Sequence, residues 1–333
     1  MKTKSIVFMI IRGILCIALA LLLYYALEPL SIKRTNVTVE GSSNWMARLG
    51  DDVSIADVYL PGTNDSGTQF CDLRYFSQCQ ASPISLQLKD GYRYLDIRLG
   101  EVTDKEGNRS LNLFHGSCKC KVGNLVWSDP LKLDSVLSMC YSFLESNPTE
   151  TIVFAVKMEQ GEDVASFQQL LHEYIEKDAD RWYLSDTIPR MAECRGKLVL
   201  MRRYEDANKY GKKSGIQYFW ADQGSKEDKT LHAVVEQQDN YKLIVQDRYK
   251  YTVKNKWKAF IAGLEFSTTE KADLKVSFLS SAGSLKFDHP YDQAKTLNKN
   301  FLAEDISGYA PVWIIQDFSN PLLAQHVYEL NFK

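Results

Sequence analysis

The side chains best suited to acid–base and ionic chemistry in this 333-residue chain stand where apolar segments end. His115 ends the predicted strand 111–116, and its imidazole can gain or lose a proton near neutral pH. Asn64 and Asp65 lie in a glycine-bounded turn after the alternating apolar run 53–60, which predicts a strand. Polar turns of this kind are often only turns. Sites in α/β folds, however, are commonly built at the carboxyl ends of strands.

Two further predicted strands end in charged residues. Asp96 and Arg98 end the run 91–98, and Lys157 lies near the end of the buried-type run 152–159. Each group also has a plain structural interpretation. The first pair can be an ion pair at a strand end, and the lysine can belong to a solvated strand terminus.

Strands and helices alternate through the rest of the chain, and polar side chains recur where the strands end. Apolar periodicity predicts the helices, and a glycine cap ends the first of them. The predicted helices cover 84–88, 136–145 and 164–175, and further strands cover 195–204, 242–249, 276–281 and 312–317. This alternation predicts an α/β fold, a TIM-type (β/α) barrel with a site at one face. No second domain is needed.

The amino-terminal segment has the composition of a membrane helix. Residues 6–27 are almost wholly apolar and follow Lys2 and Lys4, with Arg12 as the one interruption. A helix of this length can cross a hydrocarbon core of about 30 Å. The pattern expected at a signal-peptide cleavage site is poor, so an uncleaved signal anchor is favoured over a removed signal peptide.

Three parts of the chain follow. Residues 1–30 are predicted to be a signal anchor or signal peptide, residues 31–43 a polar linker, and residues 44–333 the barrel domain. We expect a membrane-anchored protein with an extracytoplasmic barrel domain, which would be secreted if the first segment were cleaved. The formal net charge of −2 gives no reason to expect binding to nucleic acid.

Six of the seven cysteines lie outside the apolar segment. In an exported domain they permit up to three disulfides with undetermined pairing, although free thiols remain an alternative. Cys118 and Cys120 are too close in sequence to be joined to each other without strain. No second Cys or His pair accompanies them at metal-ligand spacing, so a metal site there is only weakly indicated.

Four of these segments, in this order, resemble the catalytic X domain of phosphatidylinositol-specific phospholipase C in its bacterial, single-domain form. They are residues 60–68, 91–98, 111–116 and 147–159, and by motif order the resemblance runs from about residue 45 to the carboxyl terminus. The resemblance implies a somewhat irregular (β/α) barrel. It also implies that the inositol 2-hydroxyl attacks the neighbouring phosphorus, releasing diacylglycerol and a cyclic inositol phosphate.

The resemblance implies roles for the site residues. His115 matches the general acid, with Asp65 as its orienting partner. Arg98 stands where this family places the cation that binds the phosphate, a role that calcium fills in relatives lacking it, so no metal cofactor is expected. Asp317 matches the carboxylate that partners the general base.

Four more residues match positions that bind the inositol ring, with the tyrosine stacking and the others hydrogen bonding: Lys157, Arg203, Asp247 and Tyr249. The implied partners are phosphatidylinositol or glycosyl-phosphatidylinositol lipids and a membrane surface, bound by a monomer.

One position departs from the family motif, which reads Pro-Gly-Thr-His-Asp-Ser, because Asn64 replaces the histidine that acts as general base. An amide can donate a hydrogen bond to the hydroxyl but cannot take its proton. Asp317, Asp65 or His289 could act as the base instead. Two functions therefore remain open: a lyase with an altered base, or a catalytically inactive module that binds lipid or inositol phosphate. A glycerophosphodiester phosphodiesterase is a more distant third, because its metal-binding Glu-x-Asp pattern is absent near the first His-Gly pair.

Overall fold

The chain begins with one long apolar helix, α1 (Lys2–Leu27). The computed structural model describes residues 2–27, 32, 34–225, 230–284 and 288–333. Within α1, Ser5–Tyr24 has a mean hydropathy of 2.9 and none of it is buried, so the helix is long and apolar enough to cross a membrane. Parts of the predicted anchor and linker, namely residues 1, 28–31 and 33, lie outside the described residues.

The described strands form a single curled sheet of twelve members. They are β1 (Leu60–Thr63), β2 (Tyr94–Thr103), β3 (Arg109–His115), β4 (Cys118–Lys119), β5 (Ile152–Gln160), β6 (Trp182–Tyr183), β7 (Leu198–Arg203), β8 (Ile216–Gln217), β9 (Val234–Gln237), β10 (Lys242–Gln246), β11 (Leu274–Phe278) and β12 (Trp313–Gln316). The order β7-β5-β2-β1-β12-β11-β10 is parallel throughout, which confirms the predicted TIM-type barrel.

The barrel is irregular where its two ends meet. Among the described strands no ladder joins β8 to β9. Side chains bridge that seam instead: the Tyr241 hydroxyl donates to the carbonyl of Gln217 at 2.6 Å, and the Phe219 amide donates to the Gln238 side chain at 2.9 Å. These bonds satisfy polar groups that a closed ladder would otherwise pair.

Helices cover the outside of the sheet. They are α2 (Arg74–Ser77), α3 (Ile84–Lys89), α4 (Leu133–Ser146), α5 (Val164–Glu176), α6 (Met191–Cys194), α7 (Val253–Thr269), α8 (Pro290–Ala303) and α9 (Pro321–Tyr328). In α4 the predicted apolar face is the buried one, with Val136, Leu137, Cys140 and Leu144 against the strands. The predicted helices at 84–88, 136–145 and 164–175 are therefore confirmed.

Alternation along β2 decides which side chains enter the barrel. Leu95, Ile97 and Leu99 belong to the outer core beneath the helices, whereas Tyr94 belongs to the core inside the barrel. Successive strand residues point to opposite faces, so Asp96 shares the inner face with Tyr94. Because Asp96 lies on that face near the end of the barrel strands, its carboxylate enters the barrel mouth.

The predicted strand at 53–60 is wrong. Residues Ile55–Asp57 form a short 3₁₀ turn, in which the Ala56 amide donates to the Ser54 side chain, and the strand begins only at Leu60. A Cβ on Gly62 would lie 2.4 Å from the Ile315 side chain, so glycine allows β1 to approach β12 closely. The first residues of the predicted turn, 61–63, thus belong to the barrel strand, and the turn itself begins at Asn64.

The strands carrying Asp96 and His115 also differ from the prediction. Asp96 and Arg98 do not end β2, which continues to Thr103 and pairs with β3 in the antiparallel direction. The strand that carries His115 is therefore the returning arm of a hairpin rather than a barrel strand. The register of β2 against β5 shifts at Gly100, where the hairpin leaves the barrel wall. This return brings His115 back over the barrel mouth.

Candidate active site

A cavity of about 440 Å³ opens at the carboxyl ends of the parallel strands. It is lined by the nine residues that the family motifs match to catalytic or inositol-binding positions: Asn64, Asp65, Arg98, His115, Lys157, Arg203, Asp247, Tyr249 and Asp317. These residues span more than 250 positions of the chain and come from seven strands or the loops that follow them. The gathering of nine predicted side chains in one cavity is the main structural result for this site.

The histidine at the mouth is held by a buried carboxylate. His115 Nδ1 lies 2.7 Å from Asp65 Oδ2, and the Asp65 side chain is only 2% exposed. Burial lowers the pKa of His115, but attraction to Asp65 and the hydrogen bond between them together have a larger, opposite effect. The pKa of His115 therefore lies above its usual value. The imidazole therefore keeps its proton to a higher pH than an ordinary histidine does and can act as a proton donor.

Asp65 adopts a backbone conformation that side chains seldom take. Its φ is +44°, in the left-handed region, and its amide donates to the carboxylate of Asp96 at 3.1 Å. Its carbonyl in turn accepts from the Thr68 hydroxyl at 2.7 Å. The tight turn aims the Asp65 side chain at His115, and local hydrogen bonds offset the backbone strain.

Arg98 lies at the centre of a group of carboxylates. Its guanidinium is 3.0 Å from Asp65, 2.9 Å from Asp96 and 3.8 Å from Glu159. Burial lowers the pKa of Arg98, but the three carboxylates raise it well above the usual value. Its side chain is still 18% exposed, so a fixed cation faces the cavity. A phosphate oxygen is the kind of ligand that such a group binds.

Asn64 bridges the cation and the carboxylate at the barrel mouth. Its amide nitrogen donates to Asp317 Oδ1 at 2.9 Å, and its amide oxygen accepts from Arg98 at 3.1 Å. Burial raises the pKa of Asp317 to about 7, an effect that the hydrogen bond from Asn64 partly opposes. Asp317 can therefore hold or release a proton near neutral pH.

The opposite wall combines an aromatic ring with charged groups. The Arg203 guanidinium lies over the Trp220 ring, 3.9 Å from its centroid, and 3.4 Å from Asp96. Trp220 Nε1 donates to Asp247 at 3.0 Å. Burial raises the pKa of Asp247, and this effect outweighs the nearby cations. These groups present both donors and acceptors, as a polyhydroxylated ring requires.

Tyr249 and Lys157 complete this wall. The Tyr249 hydroxyl donates to Asp222 at 2.8 Å, and Lys157 lies 2.6 Å from Glu159. Gly224 makes room for the tyrosine, because a Cβ there would lie 2.3 Å from the Tyr249 hydroxyl. The ring is thus fixed at one end, with its face available as a cavity wall.

Sequence reasoning missed several residues of the cavity. Trp220 and Asp222 belong to a stretch between β8 and β9 that has no strand or helix pattern. Phe76 and Cys79 also line the cavity. The lining includes Pro290 but not the predicted alternative base His289, whose Nδ1 accepts from the Tyr291 amide at the start of α8. In the sequence, the feature that could have indicated a binding role for this stretch is the aromatic pair Phe219 and Trp220 close to the acidic Asp222.

One group of side chains in the described residues has the spacing of metal ligands. Ligand atoms of Asp65, Cys79 and His115 all lie within 4.8 Å of one another. Burial raises the pKa of the Cys79 thiol well above its usual value, so the thiolate that binds metals is scarce. Arg98 also places a positive charge 3.0 Å from Asp65. Both features disfavour a cation at this position.

Comparisons with known proteins point in one direction. A family profile described as phosphatidylinositol-specific phospholipase C, X domain, matches residues 65–204. The 1-phosphatidylinositol phosphodiesterase of Staphylococcus aureus (strain Newman) is 27% identical, over 83% of this chain and 88% of the relative. The protein of the same name from Listeria monocytogenes serovar 1/2a is 26% identical, over 95% of this chain and 96% of the relative.

Solved structures show the same fold. The phosphatidylinositol-specific phospholipase C from Listeria monocytogenes superposes with a TM-score of 0.66 at 24% identity, over 89% of this chain and 99% of that chain. A double mutant of the Staphylococcus aureus enzyme gives a TM-score of 0.69 at 24% identity, over 87% and 97%. The similarity therefore covers the whole barrel and not only the matched profile.

Proposed function

Because the chain belongs to the phosphatidylinositol-specific phospholipase C X-domain family, we propose that it is a phosphatidylinositol phosphodiesterase of the lyase type. It would act on phosphatidylinositol or its glycosylated forms. The supporting observation is the meeting of nine motif residues in one cavity at the barrel mouth. The products would be diacylglycerol and a cyclic inositol phosphate.

In the proposed reaction the phosphate lies against Arg98, whose positive charge balances the charge that develops on the phosphate oxygens. His115 protonates the departing glycerol oxygen. The raised pKa of His115 keeps that proton available near neutral pH. Asp65 holds the imidazole through Nδ1, which leaves Nε2 to carry the transferred proton.

The inositol ring would occupy the wall formed by Lys157, Arg203, Asp247 and Tyr249, with Trp220 beneath the arginine. Fixed hydrogen-bonding groups on several sides favour a ring that carries many hydroxyls. A headgroup with a quaternary ammonium offers no donors to Asp247. We therefore propose selectivity for inositol over choline headgroups.

The proton on the attacking 2-hydroxyl has no histidine to receive it. Asp317 is the best substitute, because its pKa of about 7 leaves a large share of it ionised at neutral pH and it contacts residue 64 directly. We propose that the chain turns over slowly through Asp317. The competing proposal is a catalytically inactive module that binds lipid or inositol phosphate. The hydrogen bonds of Asn64 to Arg98 and Asp317 favour it, because the bond to Asp317 must break before the inositol hydroxyl can reach that carboxylate.

A surface that suits a lipid interface adjoins the mouth. Six exposed apolar side chains form what we call the apolar rim: Leu73, Phe76, Val122, Leu125, Val126 and Trp127. Val126 is 83% exposed and Trp127 is 79% exposed, whereas Phe76 also lines the cavity. The Arg74 side chain bonds to the carbonyl of Asn124, so the two loops of the rim are adjacent. We propose that the rim contacts the membrane that supplies the substrate, on the outer side if α1 is an anchor.

The direct test is turnover on lipid vesicles. The full-length chain is mixed with phosphatidylinositol vesicles or phosphatidylcholine vesicles, and products are followed by phosphorus NMR. We expect slow release of a cyclic inositol phosphate from the first lipid only, and none from the variant His115→Ala. Absence of product from the wild type together with measurable binding of glycerophosphoinositol would establish the binding module instead.

A further inference from the structure

Three cysteine side chains meet beside the site, outside the cavity. We call Cys71, Cys118 and Cys120 the thiol cluster, and all three are free thiols in this structure. Cys71 lies opposite Cys120 in an isolated antiparallel bridge. The Cys71 sulfur is 3.0 Å from the Ser77 hydroxyl, which also bonds Cys118. Two of the three thiols therefore share one hydroxyl group as a hydrogen-bond partner.

The backbone around Cys71 and Cys120 has the geometry that a disulfide needs. The Lys121 amide donates to the Phe70 carbonyl at 2.7 Å, and the Asp72 amide donates to the Lys119 carbonyl at 3.0 Å. These two bonds flank the cysteine pair, which is therefore a pair of the non-hydrogen-bonded type. In such pairs the Cα atoms are about 4.5 Å apart and the side chains are close. That separation lies within the range of about 4.4–6.8 Å found in disulfides.

Cys118 is a poorer partner for Cys71. It lies two residues before Cys120, so it shares the same face but stands diagonally from Cys71. Diagonal neighbours across an antiparallel pair are about 7–8 Å apart, at or beyond the disulfide limit. Cys118 is, however, the most accessible of the three, since Cys71 and Cys120 are only 5% and 1% exposed. It is therefore positioned to react first with a reagent from solution.

We propose that Cys71 and Cys120 form a disulfide when the protein meets an oxidising compartment, and that Cys118 is the entry thiol. The oxidant is a small soluble disulfide. The Cys118 thiolate attacks it, which forms a mixed disulfide and releases one small thiol. Cys71 then attacks the small-molecule sulfur of this mixed disulfide, which transfers the small thiol to Cys71 and returns Cys118 to its reduced form. Cys120 attacks the Cys71 sulfur and releases the second small thiol. In total, two protein thiols lose two protons and two electrons, and the external disulfide becomes two thiols.

This bond would tie together the two segments that carry the proposed acid and its partner. Cys71 belongs to the loop after β1 that carries Asp65, and Cys120 directly follows the β3–β4 hairpin that carries His115. Cys71 Sγ also contacts the carbonyl of Thr68 at 3.7 Å, and the Thr68 hydroxyl bonds the carbonyl of Asp65. The disulfide would therefore limit movement of Asp65 relative to His115. It would also close a chain loop of about 50 residues, which restricts the unfolded state.

Peptide mapping of the wild-type protein tests the pairing, because trypsin separates the relevant thiols. Arg74 lies between Cys71 and Cys79, and Lys119 lies between Cys118 and Cys120. The full-length chain in detergent is equilibrated with oxidised and reduced glutathione, free thiols are alkylated, and the digest is analysed by mass spectrometry without reduction. We expect a peptide of residues 49–74 linked to residues 120–121. Persistence of free thiols, or a link from Cys71 to Cys118 or Cys79 instead, would overturn the proposal.

Two variants test the consequences. Cys118→Ser is expected to form the same link at least tenfold more slowly, because burial raises the pKa of Cys71 to about 12 and leaves little thiolate at neutral pH. A reductant is expected to lower the Tm of the oxidised wild type by roughly 5 °C or more, and to leave Cys120→Ser unchanged. An equal effect of the reductant on both proteins would assign the stabilisation to other cysteines and refute the proposed bond. This test does not depend on whether the chain turns over lipid.

Discussion

Replacing Asn64 with histidine would place a proton acceptor where the family motif has one. In this structure the residue already has two partners, with Asp317 accepting from its amide nitrogen at 2.9 Å and Arg98 donating to its amide oxygen at 3.1 Å. A neutral imidazole also has one donor and one acceptor nitrogen. Asn64→His can therefore keep both contacts in one tautomer, with the N–H towards Asp317 and the lone pair accepting from Arg98.

The expected gain follows from two opposing contributions. General-base catalysis is typically worth about 10²- to 10⁴-fold, or about 2.7–5.4 kcal/mol of activation free energy. Arg98 donates to the acceptor atom of residue 64, so this bond must be released before the imidazole can accept a proton. A hydrogen bond to a charged group contributes about 1.5–3 kcal/mol, although the phosphate offers Arg98 a replacement. We therefore expect Asn64→His to increase kcat by roughly a hundredfold.

The assay is release of cyclic inositol phosphate from phosphatidylinositol vesicles at saturating lipid. Asn64→Gln is the matched control, because it keeps an amide and adds no base, and it should give no gain. Adding His115→Ala or Asp317→Asn to Asn64→His should remove the gain, since the first lacks the acid and the second lacks the carboxylate that orients the new imidazole. The reasoning is refuted if the wild type is already fast and Asn64→His leaves kcat unchanged. That result would mean that a base other than residue 64 already acts in the wild type.

Three further results are expected. Because burial sets the folded-state pKa of Asp317 at about 7, above an unfolded value of about 3.9, the folded chain binds the extra proton and stability falls as pH rises from about 4 to 7. Asp317→Asn should thus raise the free energy of unfolding at pH 8 by up to about 4 kcal/mol, and by less at pH 5. Equal gains in thermal stability at the two pH values would contradict this. Trp127→Ala should raise the lipid concentration for half-maximal turnover by roughly tenfold, whereas Val235→Ala, which is exposed elsewhere on the barrel, should not. Turnover and inositol binding should survive chelators because Arg98 supplies the cation, and loss of either in chelator with recovery in calcium would show a metal requirement.

Much of the site could be predicted from short motifs, because each motif places its polar residue at or near the end of a barrel strand. Lys157, Arg203 and Asp247 come from β5, β7 and the residue after β10, and parallel strands deliver their carboxyl ends to one face. Their chemistry could be recognised without knowing how the strands pair. The prediction of one cavity therefore required only the strand order and the strand direction.

The rest depended on tertiary contacts that leave little local pattern. The hairpin that returns His115 to the mouth pairs β2 with β3. Its glycine-containing loop 104–108 is a local hairpin signal, but this signal does not indicate that the hairpin folds back over the barrel mouth. Leu60 and Gly62 lie in a strand because β2 and β12 flank them, although their local sequence contains a proline and indicates a turn. Trp220 comes from an irregular segment, which is positioned by side-chain hydrogen bonds across the barrel seam.

The arrangement around Asn64 suggests why an amide is compatible with this site. Arg98 must be held in place by carboxylates, and Asp317 must remain close to residue 64, so the position between them has a cation on one side and a titrating acid on the other. An amide satisfies both neighbours at every pH because it does not titrate. A histidine satisfies both only while it is neutral, since an imidazolium would direct a proton at Arg98. With Asn64, the hydrogen bonds of residue 64 are thus the same at every pH. Removal of the proton from the inositol hydroxyl then depends on the ionisation of Asp317.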